Sequence, residues 1–358
     1  MTDKTLQNFN TLGFQQDLLH WYHLNKRDLP WRQDQDPYKI WVSEIMLQQT
    51  KVDTVIPYFL RFIDKFPTVY ELAAADPQDV LKAWEGLGYY SRARNLQNAV
   101  REVVADYGGE VPDNTRELAS LKGVGPYTKG AILSIAYNKP EPAVDGNVMR
   151  VFSRILKIEE DIAQQRTKKI FDVYVRELIS EEDPASFNQA VMELGALVCT
   201  PKSPGCLLCP VQEYCQAFAE GIEETLPIKT KAKKQKTHAY AVLLIKNDLG
   251  EYVIEKRSDK GLLANLWQFP MVPIDEVGWD HVGNWIYNEY GLDIKIKEKK
   301  GKLKHVFTHL IWQLDIFEAK TPQQELGDGR LLFVGKDNLK KYPFPVSHQK
   351  MMQYIEEE

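Results

Sequence analysis

The chain has 358 residues, 44% hydrophobic and 27% charged, with a formal net charge of -5. At roughly 150 residues per domain the length predicts two domains. No apolar run approaches the ~20 residues that a membrane span needs, and the acidic total gives no global nucleic-acid footprint, so any such footprint must be local. The N-terminus, Met1-Thr2-Asp3-Lys4-Thr5, is polar and lacks an apolar signal core, so a reducing cytosol is the expected compartment.

Residues 1–228 predict a mainly helical region, with helical apolar spacing and recurring caps. Arg27 and Trp31 sit in RDLPWR, which reads as a Pro-turn. Asp36 caps a helix whose first turn holds Pro37. WVSEIMLQQT (41–50) continues it, and Glu44 shares a face with Ile40, Trp41 and Gln48. Such neighbours would raise its pKa, although the pattern alone favours an exposed helix glutamate. In WEGLGYYSRARNL (84–96), one of Tyr89 and Tyr90 is expected in the core, and Arg92 and Arg94 either touch phosphate or are solvated.

Pro112-Asp113-Asn114-Thr115 opens a helix ending near Leu121. In the turn that follows, Gly123-Val124-Gly125 lets the backbone bend sharply, and its N–H groups with the next helix start can hold a phosphate. A plain helix–helix turn is the alternative. Tyr127 to Tyr137 predicts the following helix. Asp145, after Pro142-Ala143-Val144, is placed to cap a helix from Gly146 to Lys157. Cap hydrogen bonds and the positive helix end predict a lowered pKa for it.

All four cysteines, Cys199, Cys206, Cys209 and Cys215, fall in residues 199–215 with spacing C-x6-C-x2-C-x5-C. Four thiolates so spaced can surround a [4Fe-4S] cluster or a zinc ion, and the single compact run argues for the cluster. Two disulfides are the remaining reading. Lys229 to Lys236 is lysine-rich and predicts a linker over 229–237. Beyond it, residues 238–358 predict an α+β domain. His238–Ile245 and Glu251–Lys256 read as strands around a turn, 281–290 as a helix before Gly291, and Leu303–Phe317 as a further strand.

LKGVGPYTKGAILSIAYNKPEPAVDGNVMRV (121–151) resembles the helix-hairpin-helix and Asp loop of base-excision DNA glycosylases. The cysteine run resembles the [4Fe-4S] loop of their endonuclease III and MutY branch. WVSEIMLQQT and WEGLGYYSRARNL are similar to MutY adenine glycosylases in particular. The resemblance implies that Glu44 is the general acid that protonates N7 of adenine. It makes Asp145 the carboxylate that stabilises an oxocarbenium-like sugar, and Asn147 the group that orients water or the other catalytic side chains. Endonuclease III-type members carry a lysine where this chain has Tyr127, and a phenol forms no imine. A monofunctional glycosylase is therefore expected.

The same resemblance places Gln49 and Tyr89 as wedges that fill the gap left by a flipped base. It makes Arg27, Trp31, Leu47 and Gln189 the adenine pocket, with Gln189 where close members often carry glutamate. The C-terminal domain resembles the Nudix-like half of MutY, including GLLANLWQFP (261–270). Registering the Nudix metal box on Gly291 puts Pro270, Glu276, Asn284, Trp285, Asn288 and Glu289 at its defining positions. Only the two glutamates match, so nucleotide hydrolysis is not expected. Phe307-Thr308-His309 is similar to the family's Phe-Ser-His loop, which contacts 8-oxoguanine, and Thr308 departs from serine. The chain is thus expected to be a monomeric adenine DNA glycosylase acting on duplex DNA with A:8-oxoG or A:G mispairs. A bifunctional pyrimidine-lesion glycosylase and a non-catalytic, cluster-bearing DNA-binding or redox-sensing protein are the competing readings.

Overall fold

The computed structural model describes residues 6–230 and 234–356. Met1–Thr5 and the central residues 231–233 of the expected linker lie outside the described residues. The chain divides into two compact units, one of Met1–Ala74 with Asn95–Lys231 and one of Ala75–Arg94 with Ala232–Glu358. Residues 75–94 therefore group with the C-terminal part. No helix among the described residues is long and apolar enough to cross a membrane.

The helices up to the cysteine loop are α1 (Thr11–Asn25), α2 (Pro37–Leu47), α3 (Val52–Lys65), α4 (Val69–Ala74), α5 (Pro77–Ala83) and α6 (Ser91–Asp106). They continue with α7 (Thr115–Ser120), α8 (Pro126–Tyr137), α9 (Gly146–Ile155), α10 (Gln165–Leu178) and α11 (Pro184–Leu197). A short α12 (Gln216–Glu220) follows the cysteines. Caps set several of these starts. The Asp36 side chain accepts from Tyr38 N at 2.9 Å, and Asn114 accepts from Glu117 N at 3.0 Å. Helix α9 stops two residues short of Lys157, whose φ of 51° leaves the helical region.

Two of the apolar clusters in the first unit position α1, α2 and α8 to α11. One joins Phe14 and Leu18 of α1, Phe152 of α9, Phe171 of α10 and Leu194 of α11. At about 1.5–3 kcal/mol per buried large side chain, this cluster is the main force fixing α9 against α11. The other joins Ile40 of α2, Ala131 and Ile135 of α8, and Ala143 of the loop before α9, with Tyr127 and Met192 packed on it. That loop approaches α8 so closely that a Cβ at Gly130 would lie 1.8 Å from the Pro142 carbonyl oxygen.

The second unit is built on a seven-stranded sheet of β1 (Lys236–Lys246), β2 (Glu251–Lys256), β3 (Trp267–Gln268), β4 (Met271–Pro273), β5 (Lys295–Val306), β6 (Leu310–Lys320) and β7 (Leu331–Gly335). The main path runs β3-β2-β1-β6-β5, with β4 on β1 and β7 on β2. Strands β1 and β6 are parallel, and the β5–β6 pair is antiparallel. Both faces of β1 are covered, which explains its unbroken Ala241–Ile245 run. Val242 and Leu244 face Trp312, Phe269 and Phe344, whereas Leu243 and Ile245 face Val282 and Ile286. Those last two lie on α14 (Val282–Tyr290), which follows the one-turn α13 (Ile274–Val277).

Residues 75–94 join this unit through specific bonds. Trp267 Nε1 donates to Gln78 Oε1 at 2.8 Å, Phe344 N to Glu85 Oε1 at 2.7 Å, and Arg94 Nη1 to Ala264 O at 2.8 Å. Arg94 and Arg92 are thus not simply solvated cations: Arg92 packs over the Trp84 and Tyr89 rings. The single strand expected over Leu303–Phe317 is a hairpin. Phe307 N donates to Leu310 O at 2.9 Å and closes the Phe307-Thr308-His309 turn between β5 and β6. Of the residues registered on the Nudix box, Glu276 falls on α13, and Asn284, Trp285, Asn288 and Glu289 on α14. Glu289 pairs with Arg330 at 3.1 Å.

The close approach at Gly130 decides the sign of one substitution. In an open helix Gly→Ala stabilises by about 1 kcal/mol. Here Gly130→Ala is expected to destabilise by about 2 kcal/mol or more, because backbone must move. Chemical denaturation of the two proteins measures this.

Candidate active site

One cavity in the first unit is lined by Glu44 and Leu47 from α2, Gln49 beyond its end, Tyr127 from α8, and Asp145 and Asn147 at the start of α9. Gly123, Gly125, Arg27, Trp31 and Gln189 line it too. Glu44 and Asp145, about 100 positions apart in sequence, are brought together because Ile40 of α2, Ala131 and Ile135 of α8 and Ala143 of the loop before α9 share one apolar cluster.

Glu44 is buried, not the exposed glutamate that its helical pattern alone favours. Tyr127 Oη donates to Glu44 Oε2 and lies 3.9 Å from Met192 Sδ. Burial pushes the Glu44 carboxyl up to about 7, against the Tyr127 bond, and the negative charge of Asp145 adds to the rise. Burial likewise pushes the Tyr127 phenol well above its usual range. Asp145 does cap α9: its Oδ1 accepts from Val148 N at 2.7 Å and its Oδ2 from Asn147 Nδ2 at 3.0 Å. The lowered pKa expected from that cap is not found. Burial outweighs the cap bonds and moves the Asp145 carboxyl upward.

Beside these carboxyls stands a buried charged group that the sequence reading missed. Glu193, 1% exposed on α11, accepts from Arg27 Nε at 2.7 Å and from Arg32 Nη2 at 2.9 Å. Arg32 Nε also donates to Gln189 Oε1 at 3.0 Å. The two guanidinium groups hold the Glu193 carboxyl down at about 2 despite burial. Trp31 is buried edge-on against Phe59 with ring centroids 5.4 Å apart. Glu193 lies one helical turn after Gln189, so the i, i+4 relation was the signal available for it. Arg32 adjoins Trp31 in the same turn.

Gly123 takes φ 80°, and a Cβ there would sit 2.7 Å from Asn95 Cβ. Gly125 caps α8 with open space around it. Val124 between them is nearly buried and fixes the turn to the unit. The exposed glycines and the helix start leave uncharged donors at the surface. Gln49 is exposed, with a left-handed φ of 58° just past α2.

The four cysteines line a second, small cavity. Burial raises the thiols, Cys209 to about 12 and Cys215 to about 11. Burial also raises Cys206, with the neighbouring Glu223 charge adding to it. Among the described residues no three His, Cys, Asp or Glu side chains stand where they could hold a metal ion. The donor set of four thiols lining one cavity fits a [4Fe-4S] cluster. Arg154 is fully buried beside them, donating to Cys199 Sγ at 3.2 Å and Thr200 O at 2.8 Å. Arg150, one turn earlier on α9, donates to Cys199 O at 2.8 Å and to Asn147 Oδ1 at 2.8 Å. A chain of hydrogen bonds therefore runs from the cysteine loop through Arg150 and Asn147 to Asp145.

In the second unit, Tyr90 is buried and Tyr89 is 43% exposed. The Tyr89 and Thr308 hydroxyls are 2.6 Å apart. Phe307 is held between His305 and Trp312, at ring-centroid distances of 4.5 and 4.8 Å. His309 is exposed at the turn.

Residues 42–177 match the model of the HhH-GPD superfamily base excision DNA repair proteins, and residues 240–354 that of the NUDIX domain. An adenine DNA glycosylase of Arabidopsis thaliana is 36% identical over 345 residues, covering 82% of this chain and 55% of the relative. The chain thus spans about half the length of that relative. An adenine DNA glycosylase of Schizosaccharomyces pombe is 33% identical over 374 residues, covering 86% of this chain and 81% of the relative. The solved structure of a thermostable thymine-DNA glycosylase superposes with a TM-score of 0.54 and 27% identity over 59% of this chain and 97% of that one. With its helix-hairpin-helix glycosylase region followed by a Nudix-like sheet domain, the chain belongs to the adenine DNA glycosylase family.

Proposed function

We propose that this protein removes adenine from duplex DNA in which it is mispaired with 8-oxoguanine or guanine. The observation that carries the reading is that the buried Glu44 carboxyl and the half-buried Asp145 carboxyl line one cavity with Tyr127. Adenine must leave the base stack to reach them. Glu44, protonated near neutral pH, gives its proton to N7 as the bond from N9 to C1′ breaks and the bonding pair stays with the base. Asp145 faces the positive charge left on the sugar, and its bonds to Val148 N and Asn147 favour the ionised form against burial. Water then adds its oxygen to C1′ and loses a proton, leaving an abasic site. Two carboxyls set to different protonation states divide acid and electrostatic work in glycoside hydrolysis by the same logic. With a phenol at Tyr127 the hairpin has no amine there for a Schiff base, so the enzyme is monofunctional.

Trp31, Arg27, Leu47 and Gln189 form the wall against which adenine rests, with Arg27 and Arg32 fixed by Glu193. Gly123, Val124 and Gly125 hold the DNA backbone through amide donors. Gln49 and Tyr89 occupy the space vacated by the base. Phe307, Thr308 and His309 read the opposite base, the Thr308 hydroxyl and His309 imidazole at its polar edge. The four cysteines and Arg154 fit a [4Fe-4S] cluster, which when bound supplies four iron–thiolate bonds that clip residues 199–215 together. The protein works on DNA as a monomer in a reducing compartment.

Three outcomes follow under single-turnover conditions with an A:8-oxoG duplex. The rate of adenine release falls as pH rises through about 7, approaching tenfold per pH unit above it, because the acid form of Glu44 is consumed. Asp145→Asn abolishes release while gel-shift affinity for the same duplex stays within a few-fold. Borohydride added during turnover traps no covalent enzyme–DNA adduct, and a strong adduct would overturn the monofunctional assignment.

A further inference from the structure

The cysteine cavity contains a charge that neither the fold nor the proposed reaction uses. Glu223, between α12 and the end of the first unit, lines it together with Cys199, Cys206, Cys209 and Cys215. Its Oε2 is buried and has no hydrogen-bond partner among the described residues. Its neighbour Glu224 is exposed. On another side of the same cavity the Arg154 guanidinium donates to Cys199 Sγ. Arg154 is held by its bonds to Leu226 O, Thr200 O and Pro201 O. The cavity thus has one cation bound to a thiol and one carboxylate oxygen, Glu223 Oε2, without a hydrogen-bond partner among the described residues.

We infer that Glu223 sets the reduction potential of the group that the four cysteines hold. This rests on the cluster reading above. A negative charge in a low-dielectric wall favours the more positive, oxidised state of a neighbouring cluster and so lowers its potential, whereas a donor bond to a ligating sulfur acts in the opposite direction. Glu223 and Arg154 therefore oppose each other, and Glu223 is the member without a structural bond. The process concerned is a one-electron oxidation: one electron passes from the cluster to an electrode, and no bond forms or breaks.

The test is voltammetry of the purified, cluster-loaded full chain, beside Glu223→Gln, Glu223→Asp and Glu224→Gln. Glu223→Gln should raise the potential, Glu223→Asp should hold it near the wild-type value, and Glu224→Gln, which removes the same charge at the surface, should leave it unchanged. Equal potentials for wild type and Glu223→Gln, or equal shifts for Glu223→Gln and Glu224→Gln, overturn the inference. So does loss of iron from Glu223→Gln alone, which would make the residue a holding group. Absence of iron and of any redox couple in the wild type rejects the cluster reading itself, a result separate from all of these.

Discussion

The site depends on two carboxyl groups, Glu44 buried and Asp145 half-buried, lining one cavity. Water would screen Glu44 from Asp145, but a protein interior does not, so both cannot ionise cheaply. Their surroundings break the tie. Asp145 receives hydrogen bonds from Val148 N and Asn147 and sits at a positive helix end, whereas Glu44 sits in an apolar helix face with one phenol. Burial raises the Glu44 carboxyl to about 7, and the Asp145 charge adds to the rise. The packing that produces this asymmetry is the contact of α2, α8 and the loop before α9 around Ile40, Ala131, Ile135 and Ala143. Gly130 is the residue whose missing side chain lets the loop come that close.

Charge in the rest of the first unit is arranged to leave that asymmetry undisturbed. Glu193 is a third carboxyl lining the cavity, yet two guanidinium groups neutralise it, so it adds little field at Glu44. Arg150 is tied up by Cys199 O, Gly195 O and Asn147. It makes the orientation of Asn147, and through it Asp145, depend on where the 199–215 loop lies. The cysteine loop, remote in sequence from Glu44 and Asp145, thus has a hydrogen-bonded route to Asp145.

Much of this was legible in the sequence, and the misses share a cause. Caps and periodicity are local, so Asp36-Pro37, Asn114, Asp145 and the Ala241–Ile245 run could be read directly. Recognisable strings located Glu44, Tyr127 and the cysteines. Burial balance is not local. The Asp145 cap was visible, but the desolvation that overrides its effect on pKa comes from α2 and α8. Glu193 looks like any helix glutamate until Arg27 and Arg32, more than 160 residues earlier, are seen to reach it. The β5–β6 turn was hidden because Phe307-Thr308-His309 contains no glycine or proline, and because lysines fill the first half of β5.

The allocation of Ala75–Arg94 to the C-terminal unit has a consequence for how the chain can be divided. The lysine-rich segment near residue 230 looks like a hinge between two modules, but a cut there would strand a twenty-residue insert whose partners, Trp267, Ala264 and Phe344, lie on the far side. Each unit is built from two stretches of chain, which change over at residues 74/75, 94/95 and 231/232. Synthesis from the N-terminus produces Tyr89 more than two hundred residues before Thr308, the group it touches. That insert must wait, unpaired, for most of the protein to be made. A chimera that transplants the sheet domain of a relative would need to carry this earlier segment with it as a second, separate graft.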